Sequence, residues 1–442
     1  MLKQTAVNTC RILLALVFIF SGFVKAIDPM GTVYKLQDYF AATPVDVTSV
    51  PMWILIGCAV ALSTIEFSLG IFLLFGIHKR LTTRTTLLFM VIMTAITVWI
   101  FIKNPVKDCG CFGDAIVLSN GQTLLKNIVL LSCAVIVAVW KDKIVRFITK
   151  ESQWIVENYT VIFIILISSW CIYDLPLFDF RPYRIGADFR QDMEIPEGEE
   201  QPQFETTFLM EKDGKVKEFT IDNYPDSTWT FVDSKTVQTS KGYVPPMHDF
   251  SVEDPNTGDD ITEKTVKSDG FTFLLIAPDL ASANDGSFGD IERIYEYSID
   301  NKYPFYCLTA SDKEAQDIWR EKTGAEYNFF FADHTTLKTV TRSNPGLLLL
   351  KDGQIIGKWS NNFLPKDEEL EALTKKANQE RTIKQSYTRR AILSILWFII
   401  PLFILTIADR IWAWSRYLKR ATRIKEWKRK MKKQKQENNE NT

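Results

Sequence analysis

Long runs of apolar residues fill most of the first 176 positions of the chain and return once near its carboxyl end. A helix needs about 20 mostly apolar residues to cross the hydrocarbon core of a bilayer. The pattern therefore predicts six transmembrane helices and makes the lipid bilayer the expected surroundings of the chain. The predicted spans lie near residues 9–26, 52–77, 85–102, 122–140, 156–175 and 391–408.

The stretch 178–388, between the fifth and sixth runs, has the shorter periodicity of a soluble region. It opens with an acidic, proline-containing linker at 194–203, which is followed by strand-like runs separated by turn residues. Such runs are typical of a small antiparallel element. They lie at Thr206–Met210, Val216–Ile221 and Trp229–Val232, with a turn at Asp213-Gly214.

From residue 242 onward, apolar strands alternate with helical patterns. An apolar strand at Phe271–Ala277 is followed by a helix at 287–300, a strand at Pro304–Leu308 and a helix at 311–323. Strand, helix, strand, helix and a closing hairpin predict a mixed sheet covered by helices. The hairpin strands are Leu347–Leu350 and Gln354–Trp359.

This order resembles the thioredoxin-like fold, in the branch that has an opening hairpin. Asn344 and Pro345 stand where that fold keeps a cis-proline, so the resemblance implies a cis bond there. Where the family has CxxC after its first core strand, this chain reads Pro278-Asp279-Leu280-Ala281-Ser282. Exchange needs a thiolate nucleophile, so we expect this domain to bind proteins without exchanging thiols. We expect His248 and His334 to be surface or loop residues without a catalytic role.

The distribution of charge predicts the orientation of the spans, while the net charge of -1 indicates neither a nucleic acid nor an acidic partner. Basic residues cluster in the turns at 77–85 and 141–150, and twelve more lie between Arg410 and Lys435. Cytoplasmic loops are enriched in such residues. We therefore expect a multi-pass protein of a bacterial inner membrane with both termini in the cytoplasm and the domain at 178–388 in the periplasm.

Candidate chemistry lies in the polar loop Lys103–Asp114, which holds Cys109 and Cys111 on either side of one glycine. Two thiols this close in sequence can form a redox-active pair, contribute to a metal-binding site, or have no function. A zinc site needs four ligands, and two cysteines without a nearby histidine fall short, so no metal is expected. A disulfide between them would close a small, strained ring, and strained disulfides tend to be labile or catalytic.

Charged residues within the loop affect how readily its thiols ionise, whereas the other five cysteines lie elsewhere in the chain. Lys107 would favour a thiolate, whereas Asp108 and Asp114 would oppose it. The remaining cysteines lie in apolar or strand-like surroundings, where we expect small buried hydrophobic side chains. These are Cys10, Cys58, Cys133, Cys171 and Cys307.

Two charges lie deep within the predicted spans. Lys25 is fourteen residues beyond Arg11, and Glu66 is thirteen before Lys79. Both therefore lie roughly 20 Å along their helices from the cytoplasmic charges. Charges inside a membrane are usually paired or functional, so we expect Lys25 and Glu66 to face each other. The pair could fix helix packing or serve a proton- or quinone-linked site beneath the thiols; alternatively, Lys25 could extend to the membrane surface.

Three strings in the first helical region resemble the DoxX-like membrane proteins, and among these the MauE type. They are Phe20-Ser21-Gly22-Phe23-Val24-Lys25, Ile65-Glu66-Phe67-Ser68-Leu69-Gly70 and Cys109-Gly110-Cys111-Phe112-Gly113. The resemblance covers roughly residues 5–145, a four-helix unit. It implies a redox-associated role in disulfide formation or maturation of a periplasmic enzyme, with quinone as the candidate cofactor. It also implies that Cys109 and Cys111 are the thiol pair and that Lys25 and Glu66 are the buried polar positions of the site.

The predicted architecture is a multidomain membrane protein in which an α-helical four-helix bundle and two further spans flank an α/β soluble domain. Its predicted parts are a DoxX/MauE-like domain at 1–150, a fifth span at 151–177, a linker with a small β element at 178–241, a thioredoxin-like periplasmic domain at 242–388, a sixth span at 389–409 and a basic cytoplasmic tail at 410–442. Residues 28–50 are expected to form a periplasmic loop, and the final Asn- and Glu-rich tract is expected to be disordered.

Two functional hypotheses follow, with a third resting only on the buried charges. In the first, Cys109 and Cys111 exchange disulfides with a periplasmic or envelope client protein, linked to membrane quinone. In the second, the chain is a non-catalytic, membrane-anchored assembly factor that binds envelope proteins through its cysteine-free thioredoxin-like domain. The third, transport of a small molecule, would use the pair Lys25 and Glu66.

Overall fold

A computed structural model describes residues 2–42, 50–106, 108–200, 203–212, 215–220, 230–240, 242–379 and 387–440. Lys107 and the turn at Asp213-Gly214 lie outside these ranges. The chain divides into two compact units. Residues 1–180 and 386–442 make the first, and residues 181–385 make the second.

The first unit is helical. Six of its helices are long and apolar enough to cross a membrane, which confirms the six predicted spans and a multi-pass membrane protein. The helices are α1 (Leu2–Ile27), α2 (Pro29–Ala41), α3 (Met52–Phe75), α4 (Lys79–Lys103), α5 (Asn120–Val139), α6 (Gln153–Tyr173) and, after the second unit, α13 (Tyr387–Glu440).

Close backbone contact between α1 and α3 organises this unit. A Cβ atom added at Gly22 would clash with the backbone nitrogen of Phe67, and one added at Gly70 would lie 2.7 Å from the nitrogen of Ile19. Small residues let membrane helices approach in this way. Because the two backbones touch, polar side chains one turn from Gly22 and Gly70 are brought within hydrogen-bonding distance of each other.

Three features of this unit differ from the sequence expectations. Residues 29–41 form the helix α2, because Asp28 caps its amino end by accepting from the Gly31 nitrogen at 2.9 Å and Pro29 occupies the first position. The Asn- and Glu-rich end, expected to be disordered, is helical as far as Glu440. Cys58, expected to be buried, is exposed on α3, since an apolar run does not distinguish a lipid-facing side from a packed one.

The second unit is built on a five-stranded sheet whose strands are β4 (Phe271–Ile276), β5 (Phe305–Thr309), β6 (Phe329–Phe331), β7 (Gly346–Lys351) and β8 (Gln354–Ser360). The order is β6-β5-β4-β7-β8. β4 is parallel to β5 and antiparallel to β7, so the predicted mixed sheet with a closing hairpin is confirmed. The unit's helices are α7 (Phe189–Asp192), α8 (Thr262–Val266), α9 (Phe288–Asp300), α10 (Lys313–Thr323), α11 (His334–Val340) and α12 (Asp367–Gln379).

The central strand β4 is buried on both faces. Phe273 and Leu275 belong to one apolar core, and Leu274 and Ile276 belong to the other. A strand covered on both sides reads as a continuous apolar run, which is why the sequence revealed it. The predicted small antiparallel element is also present, as strands β1 (Gln203–Lys212), β2 (Lys215–Thr220) and β3 (Thr230–Ser240) in the order β2-β1-β3.

The bond between Asn344 and Pro345 is cis, directly before β7. Residues 278–282, which follow β4, carry no cysteine, and Cys307 is completely buried in β5. His248 and His334 are both exposed, and His334 begins α11.

Candidate functional site

The loop between α4 and α5 brings the two sulfur atoms of Cys109 and Cys111 to 3.0 Å from each other, with both cysteines present as free thiols. Gly110 and Gly113 have φ angles of +62° and +52°, a region that side chains with a Cβ rarely enter. The Gly113 nitrogen donates to the Gly110 carbonyl at 3.0 Å. Two glycines and one backbone hydrogen bond thus fold the loop tightly enough to bring the sulfurs together.

A buried polar network lies beneath the loop. The Lys25 ammonium lies 2.8 Å from Glu66 Oε2, and both charged side chains are less than a tenth exposed. Ser21 Oγ donates to Glu66 Oε1 at 2.9 Å. Lys25 Nζ and Ser21 Oγ each lie 2.7 Å from the backbone carbonyl oxygen of Cys111. The expected pairing of Lys25 and Glu66 is therefore present, and the pair is linked to the cysteine loop through a carbonyl.

Helix α2 holds the other side of the loop. Lys35 Nζ lies 2.8 Å from Asp108 Oδ2, while Asp108 Oδ1 accepts from the Gly110 nitrogen at 2.9 Å. The Tyr39 hydroxyl donates to the carbonyl oxygen of Cys109. Lys35 and Tyr39 are four residues apart, so they share one helical face. This face of α2 fixes the backbone on the Cys109 side, as Lys25 fixes it on the Cys111 side.

Phe112 anchors the loop to the spanning helices. Its ring contacts Phe20 edge to face, with 5.4 Å between the ring centres. The ammonium of Lys126, from α5, lies 4.3 Å from the centre of the same ring, within the range of a cation–π interaction. Beside this contact is a cavity of about 20 Å³, large enough for one water molecule, whose lining includes Cys111, Glu66 and Lys126.

The two thiols differ in their electrostatics. The hydrogen bond from the Cys109 thiol, with the charges of Lys126 and Lys25, lowers the pKa of Cys111 to about 6, although burial and the Glu66 carboxylate act in the opposite direction. The same hydrogen bond, together with burial, raises the pKa of Cys109. These opposite shifts make Cys111 the thiol that ionises first. Cys109 is 8% exposed, and Cys111 is partly buried.

An apolar groove of about 950 Å³ runs along the same unit, between α1, α3, α6 and α13. Aromatic rings dominate its wall, among them Phe20, Phe67, Phe163 and Phe398. Phe20 is the residue that packs against Phe112 of the cysteine loop. The groove suits the apolar part of a lipid-soluble molecule. In the described part of the chain, no group of three His, Cys, Asp or Glu side chains is placed to hold a metal ion.

Sequence reasoning identified four residues that this site brings together, Cys109, Cys111, Lys25 and Glu66, and it missed several others. Lys126 lies within the apolar run at 122–140 and could have been found by the reasoning that singled out Lys25. Lys35 and Tyr39 gave no signal because residues 28–50 were expected to form a loop. Ser21 was noted only as part of a motif. Asn344 and Pro345 belong to the second unit and are not part of this site.

Residues 3–140 match the family described as methylamine utilisation protein MauE. This stretch contains the first four spanning helices, the cysteine loop and the residues that contact the loop from α1, α2, α3 and α5, whereas Phe163 and Phe398 of the groove lie outside it. Residues 204–241 match a second family, described as a domain of unknown function (DUF8463). No curated protein and no solved structure matches the chain.

The six apolar helices and the mixed-sheet unit define a multidomain, multi-pass membrane protein. Within this protein, residues 3–140 are similar to the MauE family.

Proposed function

We propose that this protein carries out thiol–disulfide exchange at a membrane surface and so supports the maturation of periplasmic proteins. The observation that carries the proposal is the close pair in the loop, where the Cys111 sulfur lies 3.0 Å from the Cys109 sulfur and the pKa values of the two thiols are shifted in opposite directions. Low-pKa, partly exposed cysteines in an electropositive setting are the reactive ones. The similarity of residues 3–140 to the MauE family, for which a redox-associated role is expected, also supports thiol–disulfide exchange.

The proposed exchange proceeds in two displacements. The Cys111 thiolate attacks one sulfur of a client disulfide, forming a mixed disulfide and releasing the other client sulfur as a thiolate, which takes up a proton. Cys109 then loses its proton and attacks Cys111, closing the Cys109–Cys111 disulfide and releasing the second client thiol. Two electrons pass from the loop to the client, and the same steps in reverse oxidise a client dithiol.

When the loop oxidises a client dithiol it is left as the Cys109 and Cys111 dithiol, and a membrane quinone is the proposed partner that restores the disulfide. The quinone would accept two electrons and two protons, so that dithiol plus quinone gives disulfide plus hydroquinone. In the opposite direction, hydroquinone would return the loop disulfide to the dithiol after the loop has reduced a client. The apolar groove lined by Phe20, Phe67 and Phe398 is chemically suited to its tail. The deep pair Lys25 and Glu66 would act by holding the Cys111 backbone in place.

The second unit is proposed to bind the client. It resembles a thioredoxin-like domain in its strand order and its cis Asn344–Pro345 bond. Its single cysteine within the described ranges, Cys307, is completely buried. We place this unit and the cysteine loop in the periplasm and both termini in the cytoplasm of a bacterial inner membrane.

Trapping of a mixed disulfide tests the exchange directly. Cys109→Ser leaves the nucleophile and removes the group that resolves the mixed disulfide, so we expect client proteins to accumulate on Cys111 in non-reducing gels. Cys111→Ser should trap none, and Cys58→Ser is the matched control on an exposed thiol. In wild-type cells, depletion of quinone should shift a mixture of oxidised and reduced loops to one state.

The complete burial of Cys307 favours a second candidate, a membrane-anchored adaptor. Here the soluble unit binds envelope proteins and the loop is structural. A loop that stays in one redox state under all conditions, with normal growth of the Cys109→Ser, Cys111→Ser double variant, would support the adaptor and refute exchange.

A further inference from the structure

Lys126 is a charged residue placed among lipid-facing neighbours. Leu125 is 65% exposed and Ile128 is 49% exposed on the same segment of α5. A lysine within an apolar span is costly unless it has a function or a partner. Among the described residues, no carboxylate forms an ion pair with Lys126. Its ammonium nitrogen lies over the face of the Phe112 ring, 4.3 Å from the ring centre.

The cavity beside Cys111 connects these groups. Cys111, Lys126, Ser21 and Glu66 all contribute to its lining. Its volume of about 20 Å³ allows one water to bridge the polar groups. Lys126 and Cys111 therefore border the same small cavity, where a positive charge favours the ionised form of a sulfur.

The other charges near Cys111 are already balanced. Each helix around the loop contributes charged or titratable groups. These are Lys25 from α1, Lys35 and Tyr39 from α2, Glu66 from α3, the exposed Lys103 at the end of α4, Lys126 from α5, and Asp108, Cys109 and Asp114 from the loop itself, while Lys107 lies outside the described residues. Lys25 is neutralised by Glu66 at 2.8 Å, and Lys35 by Asp108 at 2.8 Å. Within the portion of the chain that the structure describes, Lys126 is thus the cation near the thiol pair that lacks a carboxylate partner.

We propose that Lys126 is a positioning residue that holds Cys111 as the attacking thiolate, with the Phe112 ring keeping its ammonium beside the cavity. This inference rests on the exchange function proposed above. The charge of Lys126 is one of the causes that lower the pKa of Cys111. Phe112 has a double role in this arrangement, since it is both the loop's anchor on Phe20 and the support for the cation.

The test is the pH profile of Cys111 alkylation in the full-length protein in lipid nanodiscs, followed by mass spectrometry with iodoacetamide. Lys126→Met should move the half-maximal rate to higher pH. A rise of one pKa unit should lower the rate about twofold near pH 7 and by on the order of tenfold at pH 5, where the thiol predominates in both proteins. Lys126→Arg should restore the wild-type profile. Lys103→Met, which removes an exposed charge at the end of α4, is the matched control and should change nothing.

A profile of Lys126→Met that superimposes on the wild type would overturn the proposal. If that variant does not fold, Phe112→Leu keeps the charge and removes its support, and a smaller shift in the same direction is expected; no shift would overturn the proposal equally. Alkylation requires neither client nor quinone. A shifted profile without trapped clients would therefore refute only the exchange function, and trapped clients with unshifted profiles would refute only the role of Lys126.

Discussion

The ammonium nitrogen of Lys25 lies 2.8 Å from a carboxylate oxygen of Glu66 inside the helical unit, and the same nitrogen lies 2.7 Å from the carbonyl oxygen of Cys111. A buried ion pair contributes little net stability, because the cost of desolvating its charges offsets their attraction. Its effect here is geometric. The pair fixes the position of the Cys111 backbone relative to α1 and α3.

Glu66→Gln should strongly reduce accumulation of the protein, because it leaves the Lys25 ammonium buried without a counter-charge. Removing one partner of a buried pair typically costs about 3–5 kcal/mol. The measurement is thermal unfolding in detergent, with quantification in membranes. Lys25→Met combined with Glu66→Gln removes both charges and should recover much of the loss. Unchanged accumulation of the single variant would show that the pair is not maintained in the protein.

Reactivity of the thiols should depend on pH in a defined order. The pKa of Cys111 is lowered to about 6, so its thiolate dominates above that pH and declines about tenfold for each unit below it. The pKa of Cys109 is raised, so its alkylation should begin only at higher pH. The protein is treated briefly with iodoacetamide at pH values from about 5 to about 9, roughly two units either side of neutrality. Mass spectrometry then gives the extent of alkylation at Cys109 and at Cys111 separately. Simultaneous labelling of Cys109 and Cys111 would contradict the assignment.

Gly22→Ala should destabilise the first unit, because the added methyl group would clash with the backbone of Phe67. Overpacking typically costs about 1–3 kcal/mol, and here it would also separate Lys25 from Glu66. Gly57→Ala on α3 is the matched control, since nothing lies within 4 Å of the new atom. Thermal unfolding of both variants in the same detergent is the measurement. Equal stability of the two would rule out close packing of α1 on α3.

Asp409→Asn should weaken the attachment of α13. The carboxylate of Asp409 is 4% exposed, and it accepts from the Thr149 nitrogen at 2.9 Å and from Ser152 Oγ at 2.6 Å. Hydrogen bonds to a charged group contribute about 1.5–3 kcal/mol. Faster hydrogen exchange at residues 149–153 is the expected result. Glu426→Gln, further along α13, is the control, and equal exchange in both variants would contradict the role of Asp409.

The sequence was most informative where one physical effect dominated. Burial in lipid requires long apolar runs, so the six spans could be located, and the depth of Lys25 and Glu66 followed from helical rise. The two-sided burial of β4 made the sheet recognisable in the same way. Local chemistry could also have revealed α2, because Asp28 and Pro29 form a helix start, but the polar setting suggested a loop.

Other features depend on tertiary packing that a single sequence does not encode. Whether Cys58 faces lipid or protein depends on which side of α3 is covered. The continuation of α13 to Glu440 follows from helix-favouring Lys, Arg, Glu and Gln, whose polarity was taken as a sign of disorder. Lys126 could have been noticed as a charge within an apolar run, but its contact with the ring of Phe112 depends on the folded loop.

The contacts of α2 hold the backbone of the cysteine loop in one arrangement, through Tyr39 and the pair of Lys35 with Asp108. Attack on a disulfide requires the three sulfur atoms to align. If exchange takes place as proposed, the client chain and not the loop must therefore adjust its backbone to reach that alignment.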